Sequence, residues 1–120
     1  NSQVMWKDDL KINLIESLLN HNEGEINLTG SISVDTKDIT EFYRSFQIKK
    51  KYRKKINKIN FDFNYNFNQK EISFDNVKIN DTPNTKLDEF INKYNLSKNK
   101  ILNKITFKNF INNFFEVYSG

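Results

Sequence analysis

From Ile59 to Phe67 the chain reads "INFDFNYNF", and the side chains change character at every position. Ile59, Phe61, Phe63, Tyr65 and Phe67 are large and apolar, whereas Asn60, Asp62, Asn64 and Asn66 are polar. Side chains of a strand point alternately to its two faces, so this run lines one face with apolar groups and the other with hydrogen-bonding groups. A helical period of 3.6 would scatter the same groups around its circumference. The strand therefore needs neighbours for its backbone and a cover for its apolar face, and these two needs constrain the rest of the chain.

After the turn residues "NQK", the stretch "EISFDNVKI" runs back as a second strand. Ile72 and Phe74 are in phase, as are Val77 and Ile79, but the two pairs are out of phase with each other. A bulge at Asp75–Asn76 brings all of them to one face. A two-residue turn at Asn68–Gln69 sets Ile72 opposite Tyr65, Phe74 opposite Phe63, Val77 opposite Phe61 and Ile79 opposite Ile59. A four-residue turn shifts this pairing by one step and fits nearly as well. Upstream, "GEINLTGSISVDT" alternates Ile26, Leu28, Ile32 and Val34, with Gly30 on the same face. An inward glycine marks a bend or a close approach of backbone or ligand. In "LKINLIESLL", Leu10, Ile12, Leu14 and Leu18 share a strand face, although Ile15, Leu18 and Leu19 also fit a helix. Strand is favoured, because the "NHNEG" that follows is turn chemistry leading into another strand.

Three segments change the period. Ile39, Phe42, Tyr43 and Phe46 lie on one face of a helix that Asp35 or Thr36 caps, with Asp38 and Glu41 near its positive end. Leu87, Phe90, Ile91 and Tyr94 form the stripe of a second helix that starts after Pro83. Residues 95–103 read as a polar connection. Phe107, Phe110, Ile111, Phe114, Phe115 and Tyr118 then make the wide apolar face of a third helix, stopped at Gly120.

The expected fold class is α+β: antiparallel hairpins with one apolar face, in the order β-β-α-β-β-α-α, forming part of a larger β-groove. Residues 1–120 make a single domain or a C-terminal fragment. Within it lie a first ββα unit over 10–47, a second over 54–95 and a terminal amphipathic helix over 104–119. The units repeat a pattern of elements rather than a sequence.

A chain of 120 residues has room for one core, since a domain of this size buries roughly two thirds of the surface its unfolded chain exposes. Mean hydropathy is −0.74, yet aromatic residues reach 14%, which disordered chains lack. Asn, Lys and Ile dominate as they do in proteins of AT-rich genomes, so the net charge of +4 says little by itself about partners. Cysteine is absent, which excludes disulfides and thiolate metal sites. The chain starts at Asn1 rather than Met and reads as an excised or partial piece, which leaves room for a signal peptide or anchor upstream. No apolar run within it reaches the ~18 residues that span a bilayer.

No catalytic constellation emerges. His21 is the sole histidine, and it reads as a solvated turn residue. Asp62 and Asp75 approach across the hairpin, a pairing that can raise one carboxylate's pKa, but their Asn-rich and bulged surroundings mark a polar surface. There is no phosphate-binding glycine loop, nucleophile elbow or metal-ligand spacing. The chain reads as a non-enzyme without cofactor or metal. A basic run, Lys49, Lys50, Lys51, Arg53, Lys54, Lys55 and Lys58, precedes the alternating strand. Three readings fit it: a nucleic-acid patch beside stacking aromatics, an anionic membrane surface patch, or a solvated connection between helix and strand. The first lacks the glycine-interleaved aromatic pattern of sheet-based RNA binders, and five apolar groups on one face exceed what stacking needs. The solvated connection fits best.

Taken together, "INLTGSISVDTKDITEFYRSFQI", "INKINFDFNYNFNQKEISFDNVKIN" and "FKNFINNFFEVYSG" resemble the C-terminal region of AsmA-like proteins, from about residue 24 to the end. The resemblance lies in the order of strand, glycine-containing strand, helix and Phe-rich hairpin. It implies a segment of a bridge-like lipid-transfer protein of the Gram-negative envelope, periplasmic, with its parent anchored in the inner membrane. It also implies a role in phospholipid transport or outer-membrane biogenesis, with acyl chains in an apolar β-groove and neighbouring repeats of the parent chain as partners. The expected lipid-contacting residues are Ile26, Leu28, Ile32, Val34, Ile59, Phe61, Phe63, Tyr65, Phe67, Ile72 and Phe74. The basic run then has a secondary role near anionic headgroups, and nucleic acid is not a partner. The alternative function is a structural domain whose sheet is fully covered by its own helices.

Overall fold

Six antiparallel strands lie side by side in the order in which the chain makes them: β1 (Ser2–Trp6), β2 (Leu10–Asn22), β3 (Glu25–Thr36), β4 (Lys58–Asn66), β5 (Glu71–Ile79) and the short β6 (Thr82–Pro83). The structure, a computed structural model, describes residues 2–6, 9–97 and 104–120. Among these residues there are also three α-helices: α1 (Thr40–Ser45) between β3 and β4, α2 (Thr85–Leu96) after the sheet, and α3 (Lys104–Ser119). The fold class is α+β, with an open antiparallel sheet and helices against one face. The element order gains β1 and β6 over the sequence expectation. Both are too short to show a period, and β6 is made by a tight Asn80–Asp81 turn with φ of 51° and 63°. The connection expected over 95–103 lies outside the described residues from 98 onward, and α2 itself runs to Leu96.

The β4–β5 hairpin has the register expected from a two-residue turn: Tyr65 faces Ile72, Phe63 faces Phe74 and Ile59 faces Ile79. The ladder ends at Asn66 and Glu71, so the connection proper is Phe67–Lys70. The β5 bulge lies at Asn76–Val77, one residue on from the expected Asp75–Asn76, because Asp75 is still paired with Asp62. Phe61 stands against both Asn76 and Val77, and Asn76 takes a φ of 53°.

β2 corrects the sequence reading in two ways. It runs to Asn22, so the turn is only Glu23–Gly24, both at positive φ, and His21 lies on the strand rather than in a turn. A second bulge at Ile15 also breaks its phase between Leu14 and Glu16. Beyond it, Leu19 pairs with the inward Leu28 and Leu18 with the outward Thr29, so Leu18 leaves the face of Leu10, Ile12 and Leu14.

α1 begins later than expected, because Thr36 is still paired with Leu10 and its hydroxyl donates to the Ile56 carbonyl at 2.6 Å. The N-cap position is Ile39, which has no capping side chain, and Asp38 just before it accepts from the Thr40 amide at 2.9 Å; hydrogen bonds from Thr40 hold the Asp38 pKa below the usual value. Asn84 caps α2 by accepting from the Leu87 amide at 3.0 Å.

The core gathers under the helices. Val77 and Ile79 from β5 meet Leu87 and Ile91 from α2, Phe114 and Phe115 from α3, Tyr43 from α1, and Ile39, Ile48 and Ile56 from the chain on either side of α1. The exposed edge of β5 is closed by a side chain. Asn95 of α2 accepts from the Phe74 amide at 3.0 Å and donates to the Phe74 carbonyl at 2.7 Å, as a neighbouring strand would.

A helix-lined apolar cavity and an open apolar face

Strand register sorts the helix-side face into rows. Val34, Ile59 and Ile79 form one row, with Ile12 paired to Val34, and Leu14, Ile32 and Phe61 form the next. Ser17, Gly30, Phe63 and Phe74 follow, then Leu19, Leu28, Tyr65 and Ile72, and last His21 and Ile26 beside Phe67. Nearly all eleven residues expected from sequence to contact lipid thus share one face of the sheet, with Phe67 just past the end of its strand. The helices treat the two halves of that face differently.

In the first half, α1, α2 and α3 lie over the sheet without filling the space. A cavity of about 230 Å³ remains between Leu10, Ile12, Val34, Ile59, Phe61 and Phe74 on the sheet side and Phe42, Phe107, Phe110, Ile111 and Phe114 on the helix side. Its walls are apolar, and Phe74 stacks at 6.0 Å from Phe110 and 5.8 Å from Tyr94. An apolar cavity of about 150 Å³ is already large enough to stay dry and bind benzene. At about 24 cal/mol per Å³, a sealed and empty space of 230 Å³ would cost about 5.5 kcal/mol. That is comparable with the ~5–15 kcal/mol net stability of a whole domain.

Among the described residues no helix packs on the second half. Ile26, Leu28, Tyr65, Phe67 and Ile72 stand outside the helix-covered cluster, and Leu19, Ile26 and Phe67 are 63%, 37% and 46% exposed. The Tyr65 and Phe67 rings meet edge to face at 4.9 Å. This end is tied together: Asn68 accepts from the Ile26 amide at 2.7 Å and donates to the Gly24 carbonyl at 3.2 Å, joining the two hairpin turns. Between the halves, the Phe63 ring lies across Gly30. The inward glycine is therefore a close approach of a side chain.

Over β3, β4 and β5 the opposite face is polar and largely paired within itself, whereas β2 exposes Ile15 and Leu18. Asp62 and Asp75 are cross-strand partners, but the Asp62 carboxylate accepts from the Ser31 hydroxyl and the Asn76 amide, each at 2.7 Å. One oxygen, Oδ1 of Asn60, is buried there without a partner. Among the described residues no three acidic, His or Cys side chains converge as metal ligands, and no helix is long and apolar enough to cross a membrane.

The basic run is an ordered connection. Its ends are pinned by Ile48 and Ile56, both buried, and a 3-10 turn over Lys50–Tyr52 lies between them. The Arg53 Nε donates to the Ile48 carbonyl at 2.8 Å, Lys58 pairs with Asp81 at 3.3 Å, and the Tyr43 hydroxyl donates to the Lys54 carbonyl at 2.6 Å. Burial pushes the Tyr43 hydroxyl pKa above its ordinary 10.0. The neutral phenol is thus the folded form. Its contribution is complete below pH 10 and is lost as pH rises toward the folded value. Tyr43→Phe should cost about 1 kcal/mol at neutral pH, because the Lys54 carbonyl loses its donor. It should also flatten the fall in stability above pH 10, as measured by urea unfolding at two pH values.

The sequence reading missed the helix side of the cavity. Phe107, Phe110, Ile111 and Phe114 were legible as an amphipathic stripe, and nothing in a stripe distinguishes a filled interface from a hollow one. It also missed Leu19, which the Ile15 bulge turns inward. No family model, curated protein or solved structure matches the chain.

Proposed function

We propose that this chain is a non-enzymatic lipid-contacting module whose helix-side sheet face holds an acyl chain. The observation that carries the reading is an apolar face that begins as a helix-roofed cavity of about 230 Å³ and continues as an uncovered row of Leu, Ile and aromatic side chains. An acyl chain is apolar, narrow and flexible, so it fits a hollow that opens onto a strip. Filling the hollow restores dispersion contacts that its walls lack. The reading includes the AsmA-like resemblance: a periplasmic segment of a bridge-like lipid-transfer protein, acting in phospholipid transport or outer-membrane biogenesis, with neighbouring repeats extending its sheet.

Native mass spectrometry of the gently purified chain tests it. Phospholipid adducts are expected on the wild type, and Phe63→Glu should weaken their capture at least roughly tenfold, since a carboxylate in the path has no partner. Phe63 stands outside the helix-covered cluster, so this variant should still unfold cooperatively. Unchanged adducts in Phe63→Glu would sink the reading. An apo wild type whose Phe63→Glu variant unfolds would favour the purely structural alternative.

A further inference from the structure

We propose that the lysine-bearing loop between α1 and β4 docks the protein on an anionic lipid bilayer surface. The seven cations of the run are not equivalent. Arg53 is engaged with the Ile48 carbonyl and Lys58 with Asp81. Lys49, Lys50, Lys51, Lys54 and Lys55 remain exposed. Among the described residues the ion pairs are Arg44–Glu41 and Lys58–Asp81, so none of these five has an acidic partner.

The loop holds its lysines on a fixed backbone. Ile48 and Ile56 are 2% and 1% exposed, Tyr52 packs against the core with its hydroxyl 3.5 Å from Glu116, and the backbone between them is closed by the Arg53 and Tyr43 hydrogen bonds. A loop already ordered loses little conformational freedom on binding.

Charge density and chemistry favour a bilayer. Clusters of about four to eight basic residues are the pattern that anionic lipid surfaces attract, and a bilayer asks for charge without a shaped pocket. Single-stranded nucleic acid asks for stacking platforms beside the cations. Here Phe61 and Phe63 lie on the helix-side face, and Tyr52 is held on the core with Lys51 Nζ 5.0 Å from its ring centroid. Apart from Arg53, held by the Ile48 carbonyl, the cations of the loop without an acidic partner among the described residues are all lysines, point charges without the planar fork that reads phosphates two at a time. The loop also sits at the end of the sheet where β3 stops and β4 starts. Docking there leaves the open apolar rows toward the far end of a molecule 46 Å long.

Vesicle co-sedimentation at fixed salt tests the proposal independently of the acyl-chain reading. Vesicles of mixed phosphatidylglycerol and phosphatidylcholine should bind the chain, and phosphatidylcholine alone should not. Lys50→Gln/Lys51→Gln/Lys54→Gln should weaken binding by roughly a hundredfold, at about fivefold per lysine. The charge-matched Lys11→Gln/Lys70→Gln/Lys78→Gln should bind as wild type. Equal losses in the two triple variants would reduce the effect to net charge and overturn the proposal. Equal binding to neutral vesicles, or tighter binding of a single-stranded oligonucleotide at the same salt, would overturn it too.

Discussion

Phe115→Ala should lower the stability of the fold by about 3–5 kcal/mol, toward the top of that range. Phe115 is 1% exposed, and its ring meets those of Tyr43 at 5.0 Å, Phe114 at 5.2 Å and Phe42 at 5.9 Å. It is one of the side chains through which α3 grips α1 and its C-terminal end, beside Phe107 against Phe46 and Asn112 on the Phe46 carbonyl. The cost of such a truncation depends on how far the surroundings collapse into the space left behind. Here they have little room to do so, because Phe115 already lines the 230 Å³ cavity and its removal enlarges a hollow that the helices failed to close.

The same geometry makes the variant a reporter of function. A ligand that binds only the native state raises apparent stability by RT ln(1 + [L]/Kd). A medium-chain fatty acid should therefore raise the urea midpoint of the wild type and raise that of Phe115→Ala by more, since the variant has more empty volume to fill. Urea unfolding with and without the fatty acid reads both effects. A loss below about 1 kcal/mol would mean that α3 does not pack as described, because a fully buried Phe cannot be removed so cheaply. A midpoint shift in neither protein would mean that the cavity does not admit the chain.

How much of this was legible in the sequence depended on contrast between neighbouring side chains. β4 alternates phenylalanine with asparagine, so its faces and its pairing with β5 could be read residue by residue, including the bulge that Val77 and Ile79 required. β2 offered no such contrast where it mattered. Leu18 and Leu19 are adjacent and equally apolar, so either could face inward, and only pairing with β3 shows that the Ile15 bulge selects Leu19. β1 and β6 are stabilised by neighbours rather than by any pattern of their own, and two to five residues carry no period. Asp35 and Thr36 looked like helix caps because their chemistry suits a cap, but the longer-range pairing of β3 claims them first. The same holds for the basic run: its charge was plain, whereas the engagement of Arg53 and Lys58 depends on partners remote in the fold or on loop closure. The cavity was the least legible feature, since it is a property of the distance at which three helices come to rest on the sheet.

Gly30 sits at the tightest approach of β2 and Phe63 to β3, and its replacement should be nearly as damaging as loss of Phe115. A Cβ built on Gly30 would meet Phe63 ring carbons at 2.8 and 2.9 Å and press against the backbone carbonyl of Glu16. The ring can turn aside, but the carbonyl cannot, because the bulge at Ile15 fixes where β2 passes. Gly30→Ala should therefore cost about 2–3 kcal/mol, in the range of an overpacked core, and Gly30→Val more. A double-mutant cycle with Phe63→Ala separates the two contacts. In the Phe63→Ala background, Gly30→Ala should still destabilise, by less than in the wild type, and the difference measures the ring contact. If the penalty vanished there, the Glu16 carbonyl would not constrain the site and the β2 bulge would be free to move. If the penalty were unchanged, the ring would not lie over Gly30. Phe63 would then be free to stand into the apolar path rather than lie flat across the row where the roofed half of the face gives way to the open one.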